Sequence, residues 1–119
     1  MISIYDIEER VIDMARKKME TLTDSMFYVL MALTKEPKCG IEIAATIDAL
    51  TENRVNVGPA TLYTVLARFE QEGYITEIAV SGRKRTYQIT EIGLKAYYEE
   101  VERLKACLLD AERYERSCE

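Results

Sequence analysis

The side chains of this chain best equipped to act on a partner fall into three groups. Arg83-Lys84-Arg85 is an adjacent cationic triple suited to phosphate oxygens. Ala60, Thr61, Tyr63, Thr64 and Arg68 form a run of small, hydroxylated and cationic residues upstream of it. Hydroxyls bond phosphates or base edges, and thymine methyls pack on alanine or on the threonine methyl. The third group, Cys39, Cys107 and Cys118, is odd in number and widely spaced, so it reads as reduced thiols rather than a disulfide framework.

Catalytic chemistry has little to work with. The 119 residues include no histidine, the commonest general acid–base and metal ligand. Cys-x-x-Cys pairs and acidic clusters at metal-loop spacing are also missing from the sequence. An enzyme is therefore not expected, and neither a metal nor a cofactor is. The first ten residues are acidic and interrupted, unlike a secretory signal, and no apolar run approaches the roughly 18 residues that cross a bilayer. These features predict a cytoplasmic protein without membrane contact.

The net charge of −5 argues against a uniformly cationic nucleic-acid binder, whose affinity rests on clustered cations. Its distribution matters more. Residues 1–22 and 23–90 each carry a net −1, and residues 91–119 carry −3. Acidity is thus concentrated in the tail, and the middle segment, which holds the Arg83-Lys84-Arg85 triple, can still present a local positive surface.

The elements that must position these groups follow from periodicity. A 48% hydrophobic, 31% charged chain of this length predicts one globular, helix-leaning domain. Ile4, Ile7, Val11 and Met14 mark one face of an N-terminal helix within residues 1–22. Thr23 is the predicted cap of a second helix through Leu33, which Pro37 closes off. A third helix follows Gly40 with Ile43, Ile47 and Leu50 on one face, and residues 51–58 read as loop. Pro59 starts the next helix and Gly73 ends it near Glu72. On that helix Leu62, Val65, Leu66 and Phe69 share one arc, while Ala60, Thr61, Thr64, Ala67, Arg68 and Gln71 share the other, with Tyr63 at its edge. Tyr74–Val80 and Arg85–Thr90 alternate as the strands of a β-hairpin, with Ile78 and Val80 on one face and the cations at the turn. Thr90 caps a final helix on which Leu94, Tyr97, Val101, Leu104, Leu108 and Ala111 form a heptad-like seam.

Three helices and then a hairpin is the order of a winged helix-turn-helix, in which the third helix enters the major groove and the hairpin lies against the backbone. At this point the chain resembles the PadR family of bacterial transcriptional regulators. The resemblance rests on Gly58-Pro59-Ala60-Thr61-Leu62-Tyr63 through Gly73-Tyr74-Ile75, on Gly82-Arg83-Lys84-Arg85-Thr86-Tyr87-Gln88-Ile89-Thr90, and on Glu91-Ile92-Gly93. Met26 to Leu33 and Cys39-Gly40-Ile41-Glu42-Ile43 also fit. It implies a homodimer on operator DNA, usually a repressor, with Thr61, Tyr63 and Thr64 on the DNA and Arg83, Lys84 and Arg85 as wing contacts. It implies pairing through the final helix, helped by the N-terminal one. Small members with one final helix are similar to a subgroup that binds flat hydrophobic or phenolic compounds near the dimer interface, some stacking a tryptophan on the ligand. This chain has no tryptophan, and Leu104 stands at that place.

The expectation is a mainly α protein with a small β-hairpin, a single domain over residues 1–119. Within it residues 1–22 form an N-terminal helix, 23–90 a winged helix-turn-helix and 91–119 a dimerisation helix. The predicted partners are an operator duplex, met through Ala60, Thr61, Tyr63, Thr64, Arg68, Arg83, Lys84 and Arg85, and a second copy, met through Ile7, Val11, Leu94, Tyr97, Val101, Leu104 and Leu108. A small hydrophobic or aromatic effector is a third. Several positions keep a second reading: Tyr63 can pack on a neighbouring helix, Arg68 can pair with Glu72 four residues on, Arg83 to Arg85 can be a solvated turn, and the Leu94 to Ala111 seam can pack on its own domain. The alternative function is a winged-helix protein-interaction module that does not touch DNA.

Overall fold

A computed structural model describes residues 21–117. The predicted N-terminal helix, with Ile7 and Val11, lies outside the described residues, as does Cys118.

Helix α1 spans Asp24–Leu33. Its first turn is closed as the residue types require: the Thr23 hydroxyl accepts the Met26 N–H at 3.2 Å, and Asp24 sits at the positive end of the helix. Strand β1, Lys38–Cys39, pairs antiparallel with Tyr87 and Thr86. Helix α2 spans Gly40–Leu50 and buries Ile43 and Ile47. Its first turn is tied by Glu42, whose Oε1 accepts the Cys39 N–H at 3.0 Å. In the loop that follows, the buried Thr51 hydroxyl donates to Ile47 O at 2.8 Å and accepts the Val55 N–H at 3.1 Å, so it carries no unmet polar group. Helix α3 runs Pro59–Glu72, with Pro59 in the first turn and Gly73 in the left-handed conformation at its end. Strands β2, Ile75–Ser81, and β3, Lys84–Ile89, join through a two-residue turn. Gly82 has φ 61 there, as the first central position of a type II′ turn demands. Helix α4, Glu91–Ser117, is about 40 Å long at 1.5 Å per residue.

The core gathers Val29, Leu30 and Leu33 of α1, Ile43 and Ile47 of α2, and Leu66 and Phe69 of α3, all fully buried. Ile75 and Tyr87 close it from the sheet. The start of α4 lies against α1, where Tyr97 stacks on Phe27 with ring centroids 5.4 Å apart. The result is a winged helix. Among the described residues no helix is long and apolar enough to cross a membrane.

Four sequence expectations need correction. The sheet has three strands in the order β1-β3-β2, not two. A two-residue strand has no period to detect, and its partner, the outer edge of β3, lies far along the chain. The hairpin strands reach one residue further into the turn than predicted, through Ser81 and Lys84. A bulge at Ile78 breaks the alternation of β2, so Val80 pairs with Arg85 on the face of Tyr87 and does not continue the face of Ile78. Leu50 is 55% exposed rather than facing inward, and Val57 of the following loop enters the core instead.

The tightest joint lies where α3, the wing and α4 meet. Thr90 donates its N–H to Tyr74 O at 2.9 Å and its hydroxyl to Gly73 O at 2.6 Å, and its Oγ1 accepts the Gly93 N–H at 3.1 Å. Gly93 is buried there, and a Cβ on it would overlap the Tyr74 carbonyl oxygen and lie 2.9 Å from its carbon. Backbone cannot yield cheaply, so Gly93→Ala is expected to cost about 3 kcal/mol, the upper part of the overpacking range. Urea unfolding at fixed protein concentration measures this, and an unchanged midpoint would show that the joint opens freely.

Candidate nucleic-acid interface

The arcs predicted for α3 determine what it presents. Leu62, Val65, Leu66 and Phe69 are buried, which leaves Ala60, Thr61, Tyr63, Thr64, Ala67, Arg68 and Gln71 exposed on the opposite side. Tyr63 is 63% exposed and does not pack into the fold. The Thr64 hydroxyl donates to Ala60 O at 2.9 Å, so toward a partner it offers a methyl and an acceptor lone pair. Arg68 forms no ion pair among the described residues, and the pairing with Glu72 is not made. It lines a shallow groove with Thr64, Ala67, Glu70, Gln71 and Glu72.

The wing brings its cations to the same side. Tyr63, Arg83, Lys84 and Arg85 line one cleft of about 630 Å³ together with Cys39, Gly40, Ile41, Glu42 and Tyr87. Of the eight residues predicted to meet DNA, this cleft gathers four. Thr64 and Arg68 lie along the neighbouring groove, and Ala60 and Thr61 are exposed at the start of α3. Arg85 lies 3.7 Å from Glu77, while Arg83 and Lys84 form no ion pair among the described residues. The Tyr87 hydroxyl beneath them is pushed above its ordinary pKa by burial and, secondarily, by Glu70 and Glu77. The Glu42 carboxyl is held below the usual carboxylate range by the bonds it accepts from Cys39, with Lys84 and Lys38 adding to the effect.

Five lining residues were not among those predicted, Cys39, Gly40, Ile41, Glu42 and Tyr87, and of these Ile41 is 83% exposed. A signal existed for Ile41. With Ile43 and Ile47 inward, a residue two positions before Ile43 falls about 200° away and must point outward, so an isoleucine there is out of place on a solvated face.

The residues predicted to meet a second copy are distributed along α4. Leu94 and Val101 are half-buried, Tyr97 stacks on Phe27 of its own chain, and Leu104 and Leu108 are exposed at 39% and 61%. Leu109, at 41%, and Tyr114, at 73%, add to the uncovered apolar surface beyond the winged domain. Nearer its start α4 is fixed differently: the buried Glu100 carboxylate accepts the Arg103 Nε–H at 2.6 Å.

Comparison with known proteins came to the same kind of molecule. A family model described as the transcriptional regulator PadR-like family matches residues 29–99. The chain is similar to a transcriptional regulator from Clostridium thermocellum, at 27% identity and a TM-score of 0.67, over 75% of this chain and 90% of that one. It is similar in fold to Bacillus subtilis PadR, a structure solved in complex with operator DNA, at 19% identity and a TM-score of 0.60 over 66% of this chain. It spans about half, 47%, of that longer protein. Among curated proteins, an uncharacterised protein of Lysinibacillus sphaericus is 32% identical over 77 residues, 61% of this chain and 70% of the relative.

Exposure separates display from packing. Tyr63→Ala and Arg68→Ala are each expected to shift the unfolding free energy by no more than about 0.5 kcal/mol, as for surface residues generally. Denaturant titration of the two variants beside the wild type checks this, and a clear loss for Tyr63→Ala would return that ring to the core.

Proposed function

This chain belongs to the PadR-like family of transcriptional regulators, and from that premise we propose that it is a sequence-specific DNA-binding repressor acting as a homodimer in the cytoplasm. The observation that carries the reading is the shared cleft: the outer face of α3 through Tyr63 and the wing through Arg83, Lys84 and Arg85 open on one surface. On a duplex, α3 would enter the major groove, with Ala60, Thr61, Tyr63, Thr64 and Arg68 toward the base edges. The wing cations would lie against phosphates, which gives affinity and register rather than sequence choice. The likeness in fold to Bacillus subtilis PadR, solved in complex with operator DNA, supports the DNA-binding reading.

Pairing follows from the apolar surface of α4. A strip carrying Leu104, Leu108, Leu109 and Tyr114 in the open is a liability for a lone chain and suits a second copy. Two-fold pairing places two α3 helices side by side and calls for a pseudo-palindromic operator with half-sites about one helical turn apart. A small hydrophobic or aromatic effector would act by altering that separation. The half-exposed rings of Tyr97 and Tyr98, 5.2 Å apart, are the surface near α4 on which a flat molecule could stack.

Two experiments decide. In a selection of bound sequences from a random duplex pool, Arg83→Ala is expected to weaken all sequences alike and to lower the salt slope by about one unit. Tyr63→Ala should also change which bases are preferred. Wild-type protein that retains no duplex at low salt would favour the protein-interaction module instead. Leu104→Glu with Leu108→Glu is expected to yield monomers in sedimentation and to weaken operator binding at least about tenfold by removing the second half-site. Persisting dimers would place the interface elsewhere.

A further inference from the structure

The cleft that gathers the wing cations also holds negative charge. Glu42 lines it from the first turn of α2, together with Ile41 and Lys84. Glu77 stands on β2, paired in register with Tyr87, and its carboxylate lies 3.7 Å from the Arg85 guanidinium. Neither is free to swing away. The Cys39 N–H holds Glu42 at 3.0 Å, and the Glu77 side chain is only 28% exposed. The cap does not need the charge, since glutamine closes a capping box as well as glutamate does. On a surface that must meet phosphates, a fixed carboxylate is a cost to binding.

We infer that Glu42 and Glu77 are brakes on DNA affinity: carboxylates fixed beside the wing cations, Glu77 against Arg85 and Glu42 in the same cleft as the unpaired Lys84, that weaken the pull of this surface on phosphates. This rests on the DNA-binding reading. Its consequence is selectivity in the cell. Backbone-driven binding to any duplex is weakened, and only sites where α3 adds base contacts stay occupied against the great excess of other DNA. The Glu42 carboxyl, held below its usual range by Cys39 and then by Lys84, keeps its charge at neutral pH.

The test compares E42Q and E77Q with E112Q by fluorescence anisotropy on two duplexes, a scrambled one and one selected by the wild type. Glu112 is exposed on α4, about 30 Å along the helix from Glu91 at 1.5 Å per residue, well beyond the Debye length of about 10 Å at 0.1 M salt. Glutamine keeps the acceptor for Cys39 and for Arg85, and unfolding midpoints equal to the wild type's confirm intact folding. At that salt E42Q and E77Q are each expected to tighten both duplexes about two- to fivefold, the range for removing one exposed charge from the neighbourhood of another. E112Q should leave both within about 1.5-fold, because screening removes distant charges. Binding by E42Q or E77Q no tighter than by E112Q overturns the inference for that residue, and weaker binding overturns it by making the carboxylate a contact. A wild type that selects no duplex overturns the DNA-binding reading itself, an outcome visible before any variant is made.

Discussion

The surface shared by α3 and the wing depends on the joint made by Gly73, Tyr74, Thr90 and Gly93. A single threonine hydroxyl there serves as donor and acceptor at once, to the Gly73 carbonyl and from the Gly93 N–H. It binds the last turn of α3 to the first turn of α4, and the Thr90 N–H ties the same threonine to Tyr74 at the root of the wing. Three elements therefore meet within a few backbone atoms. The geometry is available only because Gly73 can adopt φ 75 and because Gly93 brings no Cβ against the Tyr74 carbonyl. A two-stranded ribbon is marginal on its own. Fixed at its root, and with β1 covering the free edge of β3, the wing can hold its cations at one place relative to α3.

That rigidity explains how an acidic chain can present a cationic edge. Electrostatics at a duplex are local, because salt screens charges beyond about 10 Å at 0.1 M. The carboxylates of the distal part of α4 do not act on the wing, and the net −5 is a poor guide to the surface that matters. Among the carboxylates near the wing, Glu42 and Glu77 are held by named partners. The balance at the cleft is thus set by a handful of positions, and position rather than composition decides what the surface attracts.

Much of this was legible in the sequence where one residue type carries one physical mechanism. Thr23 as a cap, Pro59 as a helix start, Gly73 as a left-handed stop and Thr90 as a second cap mark element ends through local hydrogen bonding or steric freedom, and the elements begin and end beside them. The buried and exposed arcs of α3 were legible for the same reason, since a period of 3.6 over fourteen residues leaves little choice. What escaped depends on contacts between distant segments. Strand β1 exists because β3 lies beside it, and nothing in Lys38-Cys39 announces a strand. The bulge at Ile78 shifts the register by one residue within a run that is apolar on either phase. The assembly of Tyr63 with Ile41, Glu42 and the wing cannot be read from any one element, because the cleft lies between several of them.

The same joint constrains how α3 could be moved. Bending α4 relative to α3 would break the Thr90 bonds or drive Gly93 into the Tyr74 carbonyl, and closely packed backbone does not deform continuously. Within one chain α3 and the first turns of α4 therefore move as one body. The aromatic contact of Phe27 with Tyr97 extends that body to α1. If two chains pair through the distal part of α4, the soft coordinate is the crossing of the two helices and not the inside of either domain. A ligand seated near that crossing would need only a small rotation there. Because α4 is long and joined stiffly to α3, the rotation would arrive at the duplex as a change in the separation of two reading helices. Half-site spacing on DNA is a fixed length, so a displacement of this kind acts on both half-sites at once.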